Sequence, residues 1–380
     1  MRAEPDPHVR ITGTGSALPE RRVDNDLLAT RVSGYDPEVS GPFGRWVDKV
    51  THIHERRFCA PGERTSDYAL EAARRALAMA GVEPKDLGLI AYASFTPSQW
   101  LPGDHCRLAY ELGAHRTANF NLMAACAGSI YGLGLAYGMI ASGVCEHVLV
   151  VGAETISRVL NFSDPVTAIL FGDGAGAVVL SRGDGTGNGG MLPPDLSFAW
   201  SPRNIHQANS NVPVDVPVFP DRLQRPGVPL VEQSLVEMEG GPAVLRKAVV
   251  EMAASTVRCL GYEPRALKHD DPTLRETLDR AWIVPHQANG RIIDDLCHRL
   301  GVRPERAIRT IYRYGNMSAA SNLVALDHGI RRGNTYRRLD EDGHVLEIVD
   351  APEDRIQRGD LVLMPSIGGG YLMGCVGFVY

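Results

Sequence analysis

The chain lacks the cysteine pattern of a metal-binding or disulfide-rich protein. Its seven cysteines are an odd number, lie far apart, and include neither a CxxC pair nor the Cys/His spacing of a zinc site. It also lacks an apolar run near the roughly 18 residues of a membrane-spanning helix, and its charged start has no apolar core of a signal peptide. We therefore expect no disulfide, no metal, no membrane contact and a cytoplasmic location.

An excess of positive charge is missing as well. The formal net charge is -6, which gives no general attraction to nucleic acid. Hydrophobic residues at 44% and charged residues at 22% are typical of a folded globular protein. At 380 residues, the chain is long enough for two domains or for one large α/β unit.

Two segments of the chain repeat one pattern. In the first half, an apolar strand pattern leads to Cys126 and then to a helix that stops at Gly143. In the second half, residues 311–312 lead to Asn316 and to a helix that stops at Gly333. An apolar strand follows each time, so we predict a duplicated, layered α/β fold in which Cys126 and Asn316 occupy equivalent helix starts and the site lies between the halves.

Composition suggests where the halves meet. Residues 66–81 predict a helix and residues 87–93 a buried strand, whereas residues 182–230 are rich in Gly, Pro and Asn. We therefore divide the chain into an N-terminal half at 1–181, a linker and cap segment at 182–230, and a C-terminal half at 231–380.

Three residues are candidates for chemistry. Cys126 begins a helix among small neighbours, so the helix-start amides favour its thiolate. His286 stands just past an apolar strand, where a side chain can point into a crevice. Separately, such residues are more often a buried apolar cysteine, a hydrogen-bonded histidine and an N-cap asparagine. Together with Asn316, they form a thiol nucleophile with two neutral hydrogen-bond donors.

That set of residues suits thioester chemistry. The thiolate can accept an acyl group, and a second thioester that carries a β-carboxylate can then lose carbon dioxide to give an enolate. Neutral histidine and asparagine donors stabilise the enolate oxygen, and Gly368, Gly369 and Gly370 offer amides for an oxyanion hole with the Cys126 amide. This chemistry requires no metal or redox cofactor.

A series of segments resembles β-ketoacyl-acyl-carrier-protein synthase III of the thiolase superfamily. They occur in the family's order: GTGSALPE near the start, Trp46, ERR at 55–57, AACAG at 124–128, FGDGAGAVVL at 171–180, VPHQAN at 284–289, GNMSAAS at 315–321 and GGG at 368–370. The resemblance implies a five-layered αβαβα fold from two duplicated halves. It also implies catalytic Cys126, His286 and Asn316, with the amides of Cys126 and Gly369 as the oxyanion hole.

The resemblance further implies substrates and partners, namely acyl thioesters, an acyl carrier protein and a second copy of the chain. Substrate-binding positions fall on Trp46, Leu101 and Asn289, and positions that meet acidic carrier proteins fall on Arg246, Arg291 and Arg299. Because Leu101 stands where the family often has a Phe supplied across the dimer, we expect a preference for longer or branched acyl groups.

Two positions depart from the family pattern. Val50 replaces an arginine that contacts the coenzyme A phosphates, and Pro165 replaces a residue that flanks the adenine. The sequence therefore favours carrier-protein-bound donors. The segments at 201–230 and 334–358 exceed the compact family pattern and suggest a specialised pathway, and both fatty-acid-like and specialised polyketide biosynthesis stay open as settings for the reaction.

Other functions are weaker hypotheses. Thiolases have a second cysteine where this chain has Ser366, and plant-type polyketide synthases carry a GFGPG signature that is absent. GDGAG at 172–176 leads into a strand instead of a helix, which argues against phosphate binding. Two alternatives stay open: acyl transfer from Cys126 to a hydroxyl or amine without decarboxylation, and a non-catalytic dimer partner, against which the retained Cys126, His286 and Asn316 argue.

Overall fold

The computed structural model describes residues 2–187, 189–199, 205–207, 236–238, 241–341 and 345–380. The strands of this part of the chain are β1 (Val9–Ala17), β2 (Arg22–Asp24), β3 (Glu55–Arg57), β4 (Leu89–Ala93), β5 (Ala118–Leu122), β6 (His147–Glu154), β7 (Gly174–Arg182), β8 (Gly190–Met191), β9 (Asp195–Phe198), β10 (Ile205–Gln207), β11 (Val236–Met238), β12 (Trp282–Ile283), β13 (Asn334–Leu339), β14 (Val345–Ala351), β15 (Leu361–Gly368) and β16 (Leu372–Val379). The helices are α1 (Asn25–Ala29), α2 (Pro37–Ser40), α3 (Phe43–Thr51), α4 (Thr65–Ala80), α5 (Asp104–Leu112), α6 (Gly128–Ala141), α7 (Pro165–Ala168), α8 (Gly241–Cys259), α9 (Pro272–Arg280), α10 (Gly290–Leu300), α11 (Ile311–Tyr314) and α12 (Ser321–Arg331). No helix in these ranges is both long enough and apolar enough to cross a membrane.

Two sheets repeat one pairing pattern. The first has the order β1-β7-β6-β4-β5, in which β7 is antiparallel to both of its neighbours and β4 is parallel to β6 and β5. In the second, β12 is parallel to β15, β15 is antiparallel to β16, and β8 and β9 pair with the far side of β16. Strands β8 and β9 thus take the place of β1, although they lie in the segment expected to be linker and cap.

Alternating side chains along the strands build two layers of packing on each sheet. On β4, Leu89 and Ala91 join the core around α6 and α12, whereas Ile90 and Tyr92 join the core around α4 and α5. Helices α6 and α12 lie between the two sheets, and α8 and α10 cover the outer face of the second sheet. This five-layered αβαβα architecture confirms the fold class predicted from the sequence.

The linker and cap segment is only partly described. Of residues 201–230, the structure describes 205–207, which form β10 and pair with β11. Most of the 201–230 segment therefore lies outside the described residues, and the division at 182–230 remains a prediction.

The structure corrects the register of the internal repeat. The turn at Ala125–Ala127 and helix α6 correspond to the turn at Ser318–Ala320 and helix α12, and the first residues of the two turns have φ values of 46° and 47°. Cys126 therefore corresponds to Ala319, and Asn316 lies two residues before the second turn. The prediction of equivalent helix starts was wrong because runs of Ala, Gly and Ser match one another in more than one register.

A second correction concerns the approach to Asn316. Residues 311–312, predicted as a strand, begin the short helix α11. The position of β5 is taken in the second half by a single parallel bridge between Ile283 and Ala307. The second sheet is thereby shortened at the edge nearest α11.

Candidate active site

A cavity of about 260 Å³ brings Cys126, His286 and Asn316 together. The remaining wall is mostly apolar and includes Val50, Val166, Ile169, Leu170, Phe171, Val244, Leu245, Ala248, Ala288, Ile292 and Ile367. No Lys, Arg, Asp or Glu of the described chain lines it. Nor does this part of the chain hold a group of three or more His, Cys, Asp or Glu placed to bind a metal ion.

Cys126 lies in a strained turn at the start of α6. The preceding residue, Ala125, has a φ of 46°, and Gly368 packs so closely that a Cβ there would lie 2.8 Å from the Cys126 amide nitrogen. Burial raises the pKa of the Cys126 thiol to about 11, although the Ser318 hydroxyl and the backbone amides of Cys126 and Gly369 lower it. At neutral pH the resting group is therefore mainly a thiol, and its ionised form depends on those donors.

His286 follows β12 and is held by its backbone, because its N–H donates to the Pro365 carbonyl at 2.8 Å. The side chain is only 1% exposed, and its Nδ1 has no hydrogen-bond partner among the described residues. Burial lowers the pKa of His286 to about 3. The imidazole is therefore neutral at physiological pH and can donate a hydrogen bond without carrying charge.

Asn316 is held by the segment that leads into β7. Its N–H donates to the Leu170 carbonyl at 2.9 Å, and the Gly172 N–H donates to the Asn316 carbonyl at 3.0 Å. A Cβ on Gly172 would lie 2.2 Å from the Tyr314 oxygen, so this glycine is needed for the close approach. The Asn316 Oδ1 accepts from the Ser318 N–H at 2.8 Å, so the oxygen of the side-chain amide is already engaged and Nδ2 is the group with which Asn316, a residue of the cavity lining, can donate.

The substrate-binding positions expected from the sequence divide into two groups. Trp46 and Asn289 line the cavity. Asn289 also caps α10 by accepting from the Arg291 N–H at 2.8 Å, and its Nδ2 donates to the Val50 carbonyl at 3.0 Å. Leu101 is 88% exposed and does not line the cavity of its own chain, so a contact with substrate would require a second copy.

The other positions singled out in the sequence differ in whether they line the cavity. Val50 is part of the cavity wall, whereas Pro165 begins α7 and is not. Arg246 on α8 and the pair Arg291 and Arg299 on α10 are exposed, on two helices that pack together. Their expected role in carrier-protein docking stays a prediction.

Sequence reasoning missed two buried polar residues beside the site. The Ser318 hydroxyl makes no hydrogen bond within the described residues in the resting protein, and it lowers the pKa of the Cys126 thiol because it can donate to the sulfur once that group ionises. Glu154, fully buried at the end of β6, accepts from the Thr96 N–H at 3.0 Å, and burial raises its pKa to about 7. Glu154 could have been found from the sequence, because it is an ionisable residue at the end of an apolar strand. Ser318 could not, because it acts on Cys126 in the other half of the chain and no local sequence pattern indicates that contact.

Comparisons with known proteins give matches over nearly the whole chain. Residues 120–195 match the family model of 3-oxoacyl-[acyl-carrier-protein (ACP)] synthase III, and residues 275–341 match the model of its C-terminal part. The chain is 36% identical over 368 residues to the beta-ketoacyl-[acyl-carrier-protein] synthase III of Sphingopyxis alaskensis, with 96% of each chain covered.

Solved structures show the same likeness. The 3-oxoacyl-[acyl-carrier-protein] synthase III of Aquifex aeolicus VF5 superposes with a TM-score of 0.77 at 29% identity, covering 98% of this chain and 100% of that one. The priming beta-ketosynthase of the R1128 polyketide biosynthetic pathway gives a TM-score of 0.72 at 28% identity, covering 100% of this chain and 98% of that one.

Proposed function

The chain belongs to the 3-oxoacyl-[acyl-carrier-protein] synthase III family, and we propose that it acylates Cys126 and condenses that acyl group with a malonyl-type thioester as carbon dioxide is lost. The enzyme is an acyltransferase. The observation that carries the assignment of residues is that Cys126, His286 and Asn316 line one cavity.

In the first half-reaction, the Cys126 sulfur attacks the carbonyl carbon of an acyl thioester. The donor's sulfur leaves and takes up the proton that Cys126 gave up. Hydrogen bonds to the thiolate from Ser318 and from the start of α6 favour ionisation against the burial that opposes it. The amides of Cys126 and Gly369 donate to the carbonyl oxygen as it becomes negative.

In the second half-reaction, a malonyl-type thioester enters the cavity and loses its carboxylate as carbon dioxide. The electron pair of the broken C–C bond forms an enolate, whose oxygen accepts from the imidazole N–H of His286 and from Nδ2 of Asn316. Because burial lowers the pKa of His286 to about 3, the imidazole is neutral and too weak an acid to protonate the enolate carbon. That carbon attacks the acyl carbonyl, and the Cys126 sulfur leaves.

We propose acyl carrier protein as the bearer of both thioesters. Coenzyme A presents phosphates, whereas the described residues of the cavity wall include no cationic side chain and have Val50 at the position where the family places an arginine. The exposed Arg246, Arg291 and Arg299 offer positive charge to an acidic carrier. A homodimer that covers Leu101, a cytoplasmic location and a place in fatty-acid-like or specialised polyketide biosynthesis remain parts of this proposal.

Acyl transfer without decarboxylation is not favoured. That reaction forms no enolate, so it would leave the paired donors His286 and Asn316 without a charge to stabilise. A non-catalytic partner is disfavoured because such a protein needs no nucleophile.

The test is intact-mass measurement after incubation with acyl carrier protein bearing an acyl group, followed by addition of malonyl carrier protein. The acyl mass should appear on the enzyme and should disappear as carbon dioxide is released. Cys126→Ala should abolish the adduct, whereas Cys106→Ala, which removes an exposed free thiol, should retain it. An adduct that survives Cys126→Ala, or a product that keeps the carboxylate, would contradict the proposal.

A further inference from the structure

The hairpin formed by β13 and β14 is an addition to the duplicated unit. In the first half, residues 142–146 connect α6 to β6, whereas in the second half residues 332–360 connect α12 to β15. The longer connection holds β13 and β14, which pair in a small sheet of their own. The segment at 334–358, whose length was noted in the sequence, is therefore largely this hairpin.

Arg337 on β13 joins the hairpin to α3. Its Nη1 lies 3.2 and 3.4 Å from the two carboxylate oxygens of Asp48, and its guanidinium stacks 5.1 Å from the ring centroid of Tyr312. The side chains of Arg337 and Asp48 are 18% and 24% exposed. This partial burial strengthens the pair relative to an exposed one, and it leaves Asp48 poorly solvated if the arginine is removed.

Helix α3 separates the substrate cavity from a groove beneath the hairpin. Its residues Trp46, Val50 and Thr51 line the cavity. Its outer residues line a groove of about 770 Å³ together with the hairpin, and these lining residues include Arg45, Asp48, Lys49, Arg337, Leu339 and Val345. Among the described residues, the groove leaves part of the outer face of α3 without packed neighbours, so the Arg337 contact supports the helix across that gap.

The C-terminal end of α3 has other anchors. The Val50 carbonyl accepts from Asn289, and the His52 Nδ1 lies 3.4 Å from a carboxylate oxygen of Asp294 on α10. Asp48 is further back along the helix and only two residues from Trp46. Arg337 therefore fixes the middle of α3, where Trp46 enters the cavity wall.

We propose that Arg337 is a positioning residue that holds α3 so that Trp46 and Val50 form a fixed wall of the cavity, which sets the affinity for thioester substrates. This inference rests on the proposed function, since it assigns the α3 wall to substrate binding. Arg337 does not line the cavity, so its effect reaches the substrate through α3.

Arg338 provides a matched control on the same strand, because its ion pair with Glu347 stays on the hairpin with side chains 68% and 58% exposed. Arg337→Gln should raise the KM for acyl and malonyl thioesters about ten-fold and leave kcat within about two-fold, because the reacting groups are untouched. Arg338→Gln should change neither constant more than about two-fold. Acrylamide quenching of Trp46 emission, measured as the difference from Trp46→Phe in each background, should rise in Arg337→Gln alone.

A charge swap distinguishes positioning from loss of folding. Asp48→Arg combined with Arg337→Asp keeps an ion pair, so KM should return to within about three-fold of the wild-type value. Equal KM changes in Arg337→Gln and Arg338→Gln, a loss confined to kcat, or unchanged quenching would overturn the inference. A wild-type protein that releases no carbon dioxide would instead contradict the proposed function, and the quenching difference would still test Arg337.

Discussion

Replacement of Ser318 by alanine should raise the pKa of the Cys126 thiol and slow its reaction with electrophiles. The Ser318 hydroxyl is buried and makes no hydrogen bond among the described residues in the resting protein, so it is available to donate a hydrogen bond to the ionised sulfur, which opposes the rise that burial imposes on the thiol pKa. Ala125 adopts the same positive φ in the equivalent turn, 46° against 47°, so alanine is compatible with the Ser318 backbone. The substitution therefore removes the hydrogen bond while leaving the turn intact.

The size of the effect follows from the charge of the acceptor. A hydrogen bond to an ionised group contributes about 1.5 to 3 kcal/mol, and one pKa unit corresponds to about 1.4 kcal/mol. Loss of the bond should therefore raise the thiol pKa by about one to two units, and alkylation at a fixed pH below that pKa should slow about 3- to 15-fold, because the smaller thiolate fraction is partly offset by the higher nucleophilicity of a more basic thiolate.

The assay is the rate of Cys126 alkylation by iodoacetamide as a function of pH, read by intact mass with peptide mapping. Ser366→Ala is the matched control, because the Ser366 hydroxyl donates to the Cys126 carbonyl at 3.1 Å and acts on the backbone. The profile of Ser318→Ala should move to higher pH while that of Ser366→Ala stays in place. Coincident profiles for wild type and Ser318→Ala would refute the reasoning.

Three further predictions concern buried charge, docking and chain length. Burial raises the Glu154 pKa to about 7, so ionisation of this carboxyl group lowers the free energy of unfolding by up to ~3 kcal/mol as the pH rises from about 4.5 through 7. Glu154→Gln should remove that loss and give a smaller Tm difference between pH 5 and pH 8 than the wild type. An unchanged Tm difference would count against this reasoning. Arg291→Glu should lower the rate with substrates on acyl carrier protein about ten-fold at low salt and by less at high salt, whereas the control Arg280→Glu on α9 should not. A loss of rate that does not depend on salt would argue against docking at Arg291. Leu101→Phe should shift preference toward short acyl groups in competition assays with mixed chain lengths, and a wild-type enzyme specific for acetyl would contradict the pocket assignment.

The site could be predicted from the sequence to the extent that its chemistry lies in short local segments. Cys126 and His286 each follow a strand, Asn316 follows the short helix α11, and a duplicated α/β fold places such points near one another. The structure brings all three residues into the lining of one cavity, and their catalytic roles stay a prediction. Apolar strands that alternate with helices predict a layered α/β fold, whereas the five-layered arrangement was implied by the family resemblance.

The features that the sequence did not predict depend on contacts between distant segments. The register of the repeat was ambiguous because small residues match in several alignments, and the positive φ values that settle it belong to the folded turns. Residues 311–312 have an apolar pattern that suits a strand, but tertiary packing makes them the start of α11. Ser318 and Arg337 act on residues far away in the chain, so no local spacing indicates either role.

The central claim is tested most directly by carbon dioxide release from malonyl carrier protein labelled in the free carboxylate. His286→Ala and Asn316→Ala should each reduce release about 10²-fold or more, because each removes a donor to the enolate oxygen, while Cys126 still takes up the acyl group. His298→Ala, which changes an exposed histidine on α10, should release carbon dioxide at the wild-type rate. Wild-type release from both site variants would contradict the assignment of His286 and Asn316 to decarboxylation.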